Sequence, residues 1–275
     1  MTTAPDVPAV APPLEGTLWS AVVAELRRVF RWPADTPLIL AANGAVMCIG
    51  WFYLPDSLRD WFFSMHGPLA FPIVLESWMI SDVPATNVLG GDAKAALAAL
   101  SNPRAFQRFL YAKSLAIWLL VAPLCAVIAF VIGLNQHHHV SSTAICVLVL
   151  ILPFGVLGIS SWLGIVLPYH PRSLRWRWEH RHERRSMIRW IVLMVAPYSF
   201  VPAVTGLVVL PSILLTRRGS QSPTHLLTQG SLTVAAAIAA LSSGLALLLG
   251  HAIGARLADR RSASLVSYLT DPERG

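Results

Sequence analysis

Apolar runs near residues 37–54, 61–80, 114–134, 144–167, 190–215 and 231–254 alternate with polar, basic segments along the chain. Each run approaches the roughly 20 residues needed to cross a hydrocarbon core. Inside lipid a helix satisfies its own backbone hydrogen bonds, so the pattern predicts an all-α membrane protein with about six transmembrane helices. Ahead of the first run, residues 16–31 place Leu18, Trp19, Val22, Val23, Leu26, Val29 and Phe30 on one helical arc, with Ser20, Arg27, Arg28 and Arg31 opposite. This spacing predicts an amphipathic helix lying in the membrane interface. A helix packed on a soluble partner would show the same pattern. Pro33 and Pro37 are expected to break the helix before the first span. The expected division is therefore a disordered tail over 1–14, an interfacial helix over 15–33, a six-span domain over 34–258 and a cytoplasmic tail over 259–275.

The basic residues give the spans a direction. Of the 21 lysines and arginines, only Arg59, Arg217 and Arg218 fall on one side of a six-span layout, and all the others fall on the opposite side. Basic loops are retained in the cytoplasm, so both termini are expected inside, and the chain is expected in the plasma membrane.

Composition supports the same class. Hydrophobic residues make up 55% of the chain, charged residues 13%, and mean hydropathy is +0.59, which leaves too little polar surface for a water-soluble domain of this length. The net charge of +7 would suggest nucleic acid in a soluble protein. Here an anionic cytoplasmic leaflet accounts for it, and membrane lipids rather than nucleic acid are the expected partner. Cys48, Cys125 and Cys146 lie in or beside spans at no metal or redox spacing, so they are expected to act as small apolar residues. Met1 to Pro13 lacks the basic and apolar regions of a secretory signal.

The segments between spans carry the remaining information. The second run contains His66, Gly67, Pro68, Pro72 and Glu76, and Glu76 is expected close enough to the inner end to snorkel to water. Gly90, Gly91 and Asp92 then start a short helix in AKAALAAL. Ser101, Asn102 and Pro103 stop it, and Asn102 and Pro103 suit the N-cap and first position of the next helix. His137, His138 and His139 are adjacent with no neighbouring carboxylate or cysteine, a poor metal site. The most basic loop interleaves Trp176, Trp178 and Trp190 with arginines. Arg175, Trp178, Arg181 and Arg185 read as headgroup anchors or as a docking patch for a cytoplasmic protein. Pro197, Pro202, Gly206 and Pro211 predict a kinked fifth span followed by a re-entrant or outer-surface element. The sixth run is rich in Ala, Ser and Gly, and Gly250 and Gly254 form a small-xxx-small pair suited to close helix contact.

Catalytic signatures are scarce. Lys94 and Lys113 are the only lysines and neither sits in a phosphate-binding glycine loop, and HExxH, GxSxG and acidic clusters are missing. A carrier would be expected to bury ionisable groups near the bilayer midplane, whereas the sequence offers Glu76 and His66 near the ends of one run.

The stretch from Leu75 to Leu134 resembles the second span, coupling helix and third span of type-2 ABC exporter permeases. The matching residues are Asn87, Leu89, Gly90, Asp92 and Ala95 to Leu100, then Asn102, Pro103, Phe106, Leu110 and Lys113. One departure is that Gly91 and Asp92 are followed by Ala93 where the family often has an acidic-basic pair. The resemblance implies a non-catalytic subunit, with no cofactor of its own, that forms half of a transport pathway. A separate ABC ATPase subunit would carry ATP and Mg, and a second permease subunit, identical or related, would complete the path. It also implies an ATPase contact through Asn87, Leu89, Gly90, Asp92, Leu97, Leu100 and Arg104. A membrane-embedded enzyme, an assembly factor and a secondary carrier are the alternatives.

Overall fold

A computed structural model describes residues 16–31, 34–58, 70–81, 83–135, 139–170, 174–179, 182–184, 187–196 and 229–271. Helix α1 (Leu18–Val29) starts where the Thr17 hydroxyl accepts the Ser20 amide at 3.2 Å. The chain then turns at Ala34, which takes a left-handed conformation with φ 52°. Helix α2 (Asp35–Tyr53) follows at once. Pro37, expected to break the chain before the span, instead sits in the first turn of α2, where its missing N–H is not needed.

Next come α3 (Phe71–Ile80), a single turn at Val83–Thr86, a 3-10 turn at Gly90–Asp92 and α4 (Ala93–Leu100). Asn102 caps α5 (Pro103–Asn135) as its sequence predicts, its side-chain oxygen accepting the Arg104 amide at 2.9 Å. Helix α6 (His139–Val166) returns antiparallel to α5, and a short helix follows at Leu174–Glu179. Last come α7 (Met187–Ala196), α8 (Gln229–Arg260) and α9 (Ser262–Leu269).

Helices α2, α5, α6 and α8 contain stretches long and apolar enough to cross a membrane. Every regular element among the described residues is helical. The chain is thus an all-helical, multi-pass membrane protein. Helices α3 and α7 are shorter apolar pieces of the second and fifth runs. The rest of those runs lies outside the described residues, as do the N-terminal tail, His66, His137, His138 and the proline-rich stretch after Ala196.

Helices α2, α3, α5 and α6 enclose a core built on Leu40, Met47, Leu75, Met79, Ile117, Val121, Val149 and Leu157. Helices α6 and α8 run parallel in the most extensive helix contact of the fold. Glycines set their separation. A Cβ on Gly250 would overlap the backbone of Gly158, and a Cβ on Gly158 would overlap the backbone of Ala246 and Leu247. The expected Gly250 and Gly254 pair is therefore split. Gly250 meets the backbone of α6, while Gly254 faces the side chains of Ile165 and Leu110. On the far side of α8, Leu241, Leu245, Leu248 and Ile253 are exposed, an apolar stripe that suits lipid.

Glu76 differs from its expected placement. It is 1% exposed, on a helix whose neighbours Ile73, Leu75, Met79 and Ile80 are buried too, and its Oε1 has no hydrogen-bond partner. Snorkelling needs a path to water, and the packing of α3 against α2, α5 and α6 closes that path.

Candidate functional site

The ends of α5, α6 and α8 that meet α1, α4 and α9 carry a connected set of polar side chains. Alone, the eight residues of α4 would be a marginal helix, so its position depends on what holds it. Asp92 does two jobs. Its Oδ1 accepts the Ala95 amide at 3.3 Å and caps α4, while its Oδ2 lies 3.3 Å from Nε of Arg28 on α1. Arg28 donates from Nε to Oε2 of Glu25 at 2.8 Å and from Nη1 to the Gly91 carbonyl at 3.4 Å. Lys113 on α5 donates from Nζ to Oε1 of Glu25 at 2.9 Å, with its ammonium 4.9 Å from the centre of the Phe109 ring. Two carboxylates thus join three helices: Glu25 links α1 to α5, and Asp92 links α4 to α1.

The electrostatics keep the Glu25 carboxylate charged. Burial alone would raise the Glu25 pKa, but the charge of Lys113 and the hydrogen bond and charge of Arg28 outweigh it, and the value falls to about 2. Burial opposes the charge on Arg28 in the same way. The hydrogen bond and charge of Glu25, with the charge of Asp92, nevertheless hold its pKa above the usual value.

On its other faces α4 is fixed by packing. Ala95, Ala96 and Ala99 are buried against Phe106 and Leu110 of α5 and Leu265 and Leu269 of α9. The stretch expected as a cytoplasmic tail thus carries a docked helix. His170 Nε2 lies 3.0 Å from the Tyr268 carbonyl, the two rings stack at 4.9 Å, and the Arg189 guanidinium sits 5.2 Å from the Tyr268 ring centre. Arg261 Nη1 donates to the last carbonyls of α6, Ile165 at 3.1 Å and Val166 at 2.9 Å.

The residues before α4 form a latch. Asn87 Nδ2 donates to the Tyr169 carbonyl at 2.7 Å, and its Oδ1 accepts the Gly90 amide at 3.3 Å. Gly90 packs so closely that a Cβ would overlap the Tyr169 carbonyl oxygen. Thr86 Oγ1 donates to the Leu193 carbonyl of α7 at 2.9 Å.

The residues expected to touch an ATPase therefore divide. Asn87, Leu89 and Gly90 are buried within the fold, Asp92 is tied to α1, Leu97 and Leu100 are partly covered, and Arg104 is exposed. The outward edge is formed by Lys94, Ser101 and Arg104 beside Leu97. In the basic loop Trp178 is 73% exposed, whereas Arg181, Arg185 and the side chain of Arg175 lie outside the described residues.

Sequence reasoning missed Glu25. It lies three residues after Val22 and four before Val29, on the face of α1 that packs against α5, so a lone acid on an inward face was the available signal. It also missed the bond between Ser114 Oγ on α5 and His251 Nε2 on α8, 3.0 Å long and buried.

Among the described residues, Glu25, Arg28, Asp92 and Lys113 form a set of paired charges. What it offers is a rigid connection between α4 and the spans, together with surplus positive charge. Comparison with known proteins finds no matching family, no matching curated protein and no matching solved structure.

Proposed function

We propose that this chain is the transmembrane permease subunit of a type-2 ABC exporter, driven by a separate ATPase and paired with a second permease subunit. The observation that carries the reading is the short helix α4, joined through Asp92 and Arg28 to α1 and through Glu25 to Lys113 at the base of α5. A push on α4 would be passed to the spans as a rigid-body movement, because the linkage is short, partly buried and charged. The proposed arrangement has six spans and both termini in the cytoplasm, supported by the sidedness of the basic residues. Reporter fusions after Asn135 and after Gly219 are expected to map outside, and a cytoplasmic result at either position would exclude this topology.

The ATPase contact is proposed at the outward edge of α4. Replacing Leu97 with Asp together with Lys94 with Glu is expected to leave membrane insertion unchanged and to remove ATP-dependent transport and ATPase co-purification. Retention of both activities would move the contact off α4.

The buried carboxylate of Glu76 favours a second reading, a proton-coupled carrier, because an ionisable group inside a membrane bundle commonly marks a proton or ion path. The two readings separate in proteoliposomes. The permease needs the ATPase and ATP, while the carrier would respond to an imposed proton gradient alone and lose that response in Glu76→Gln.

A further inference from the structure

Two cavities flank the Glu25, Arg28 and Lys113 cluster and share those three residues with Arg31. The first, of about 180 Å³, lies between α1, α4 and α5, with Ala24, Ala95 and Ala105 in its walls and Arg27, Arg31 and Arg108 among its lining. The second, of about 320 Å³, lies between α1, α2, α5 and the Val83–Gly91 segment. Its apolar side is Ile39, Val88, Ile117 and Leu120. One cavity is basic and the other extends along a membrane helix.

The charge balance defines what would fit. Among the acids lining the two cavities, Glu25 and Asp92 are engaged by Arg28 and Lys113, and Asp35 lines the second. Against these three acids stand Arg27, Arg28, Arg31 and Lys113. The surplus is positive and calls for an anion. A docking protein could supply one through a carboxylate, but the apolar cavity argues for a different ligand. Leu120 is seven residues beyond Lys113, about 10 Å further along the helix axis, so the cavity descends from the charged level into the apolar part of the span. Helix α1 also presents Trp19 and Phe30, 63% and 61% exposed, as an interfacial helix does.

We propose that these paired cavities form a site for one anionic phospholipid, with its headgroup phosphate between Arg27 and Arg31 and one acyl chain running past Ile117 and Leu120. The lipid would brace α1 against α5 where the charge cluster joins them. The site does not depend on the permease reading and would serve any function that moves these helices.

The test uses the full chain purified in mild detergent. Native mass spectrometry is expected to show one retained anionic phospholipid, and added phosphatidylglycerol is expected to raise the melting temperature where phosphatidylcholine does not. The Arg27→Gln, Arg31→Gln double variant is expected to lower phosphatidylglycerol affinity at least about fivefold, since each basic residue near a membrane surface contributes on the order of 1 kcal/mol. Ile117→Trp leaves every charge in place and fills the apolar cavity, so it is expected to reduce lipid retention on its own. Its elution as a monodisperse species shows that the fold survives. Three outcomes overturn the proposal: equal retention of phosphatidylcholine, equal protection by inorganic phosphate alone, or double and Ile117→Trp variants that keep the lipid. Arginine variants that keep the lipid but lose a protein partner would identify the cleft as a protein-docking site instead.

Discussion

Replacing Gly158 with Val is expected to abolish most of the folded yield, while replacing Gly244 with Ala is expected to leave it unchanged or slightly improved. Both glycines lie in long apolar helices, so insertion and hydropathy are served by either change. They differ in what a side chain would meet. At Gly158 the first added carbon overlaps the backbone of Ala246 and Leu247 on α8, and α8 meets α6 in turn through Gly250. Backbone cannot rotate away as a side chain can, so α6 and α8 must separate along the largest contact in the fold. Overpacking a core typically costs about 1–3 kcal/mol, and a clash with backbone belongs at or above the upper end. A loss of that size is expected to lower the melting temperature by roughly 10 °C. At Gly244 nothing lies within 4 Å of the added carbon. There the helix gains about 0.5–1 kcal/mol from the lost flexibility of glycine. Size-exclusion profiles after graded heating would read both effects. Equal losses at the two positions would mean that glycine acts through helix flexibility and not through the crossing.

Much of this architecture was legible because hydropathy and turn chemistry act locally. The runs at 37–54, 114–134, 144–167 and 231–254 coincide with α2, α5, α6 and α8, and Asp92 and Asn102 cap their helices through side-chain bonds to amides two or three residues on, with Pro103 opening α5. Contacts between distant residues were not legible. Gly250 has small residues four positions away on both sides, and nothing local says that Gly158 of another helix is its partner. The position of Glu76 near the end of its run points to water, but the helices that pack around α3 bury it. Asn87 and Gly90 stand out in the sequence, but the partner they meet within the fold does not. Their chemistry is spent on the Tyr169 carbonyl, a partner 82 residues from Asn87. The charge cluster combines both cases: Lys113 stands out just before its span, but Glu25 is 88 residues away on a helix whose apolar arc and arginines dominate its pattern.

Glu25→Leu is expected to destabilise the fold more than Lys113→Met, and the Glu25→Leu, Lys113→Met double variant is expected to recover most of the loss. The ranking follows from which charges each change strands. Lys113 has a side chain only 7% exposed, and among the described residues Glu25 is the one carboxylate that its ammonium bonds. Removing Glu25 leaves that ammonium buried without its anion and leaves Arg28 with Asp92 and the Gly91 carbonyl, a change of the kind that costs on the order of 3–5 kcal/mol. Removing Lys113 is milder, because Glu25 keeps both of its contacts with Arg28. Replacing both with apolar side chains of similar size removes the desolvation cost along with the attraction, and such exchanges are often close to neutral. The same carboxylate sets an acid limit. Its pKa is depressed in the folded chain to about 2 from the usual 4.5, so the unfolded chain binds more protons between those values. Its contribution is therefore complete above about pH 4.5 and is lost as the pH falls towards 2. In melting temperatures measured from pH 7 down to pH 3, the double variant is expected to fall less steeply below pH 4.5 than the unaltered chain. Parallel acid limbs, or a double variant as unstable as Glu25→Leu, would show that the link between α1 and α5 is held by the packing of Ala21, Val22 and Ala112 and not by the charge pair.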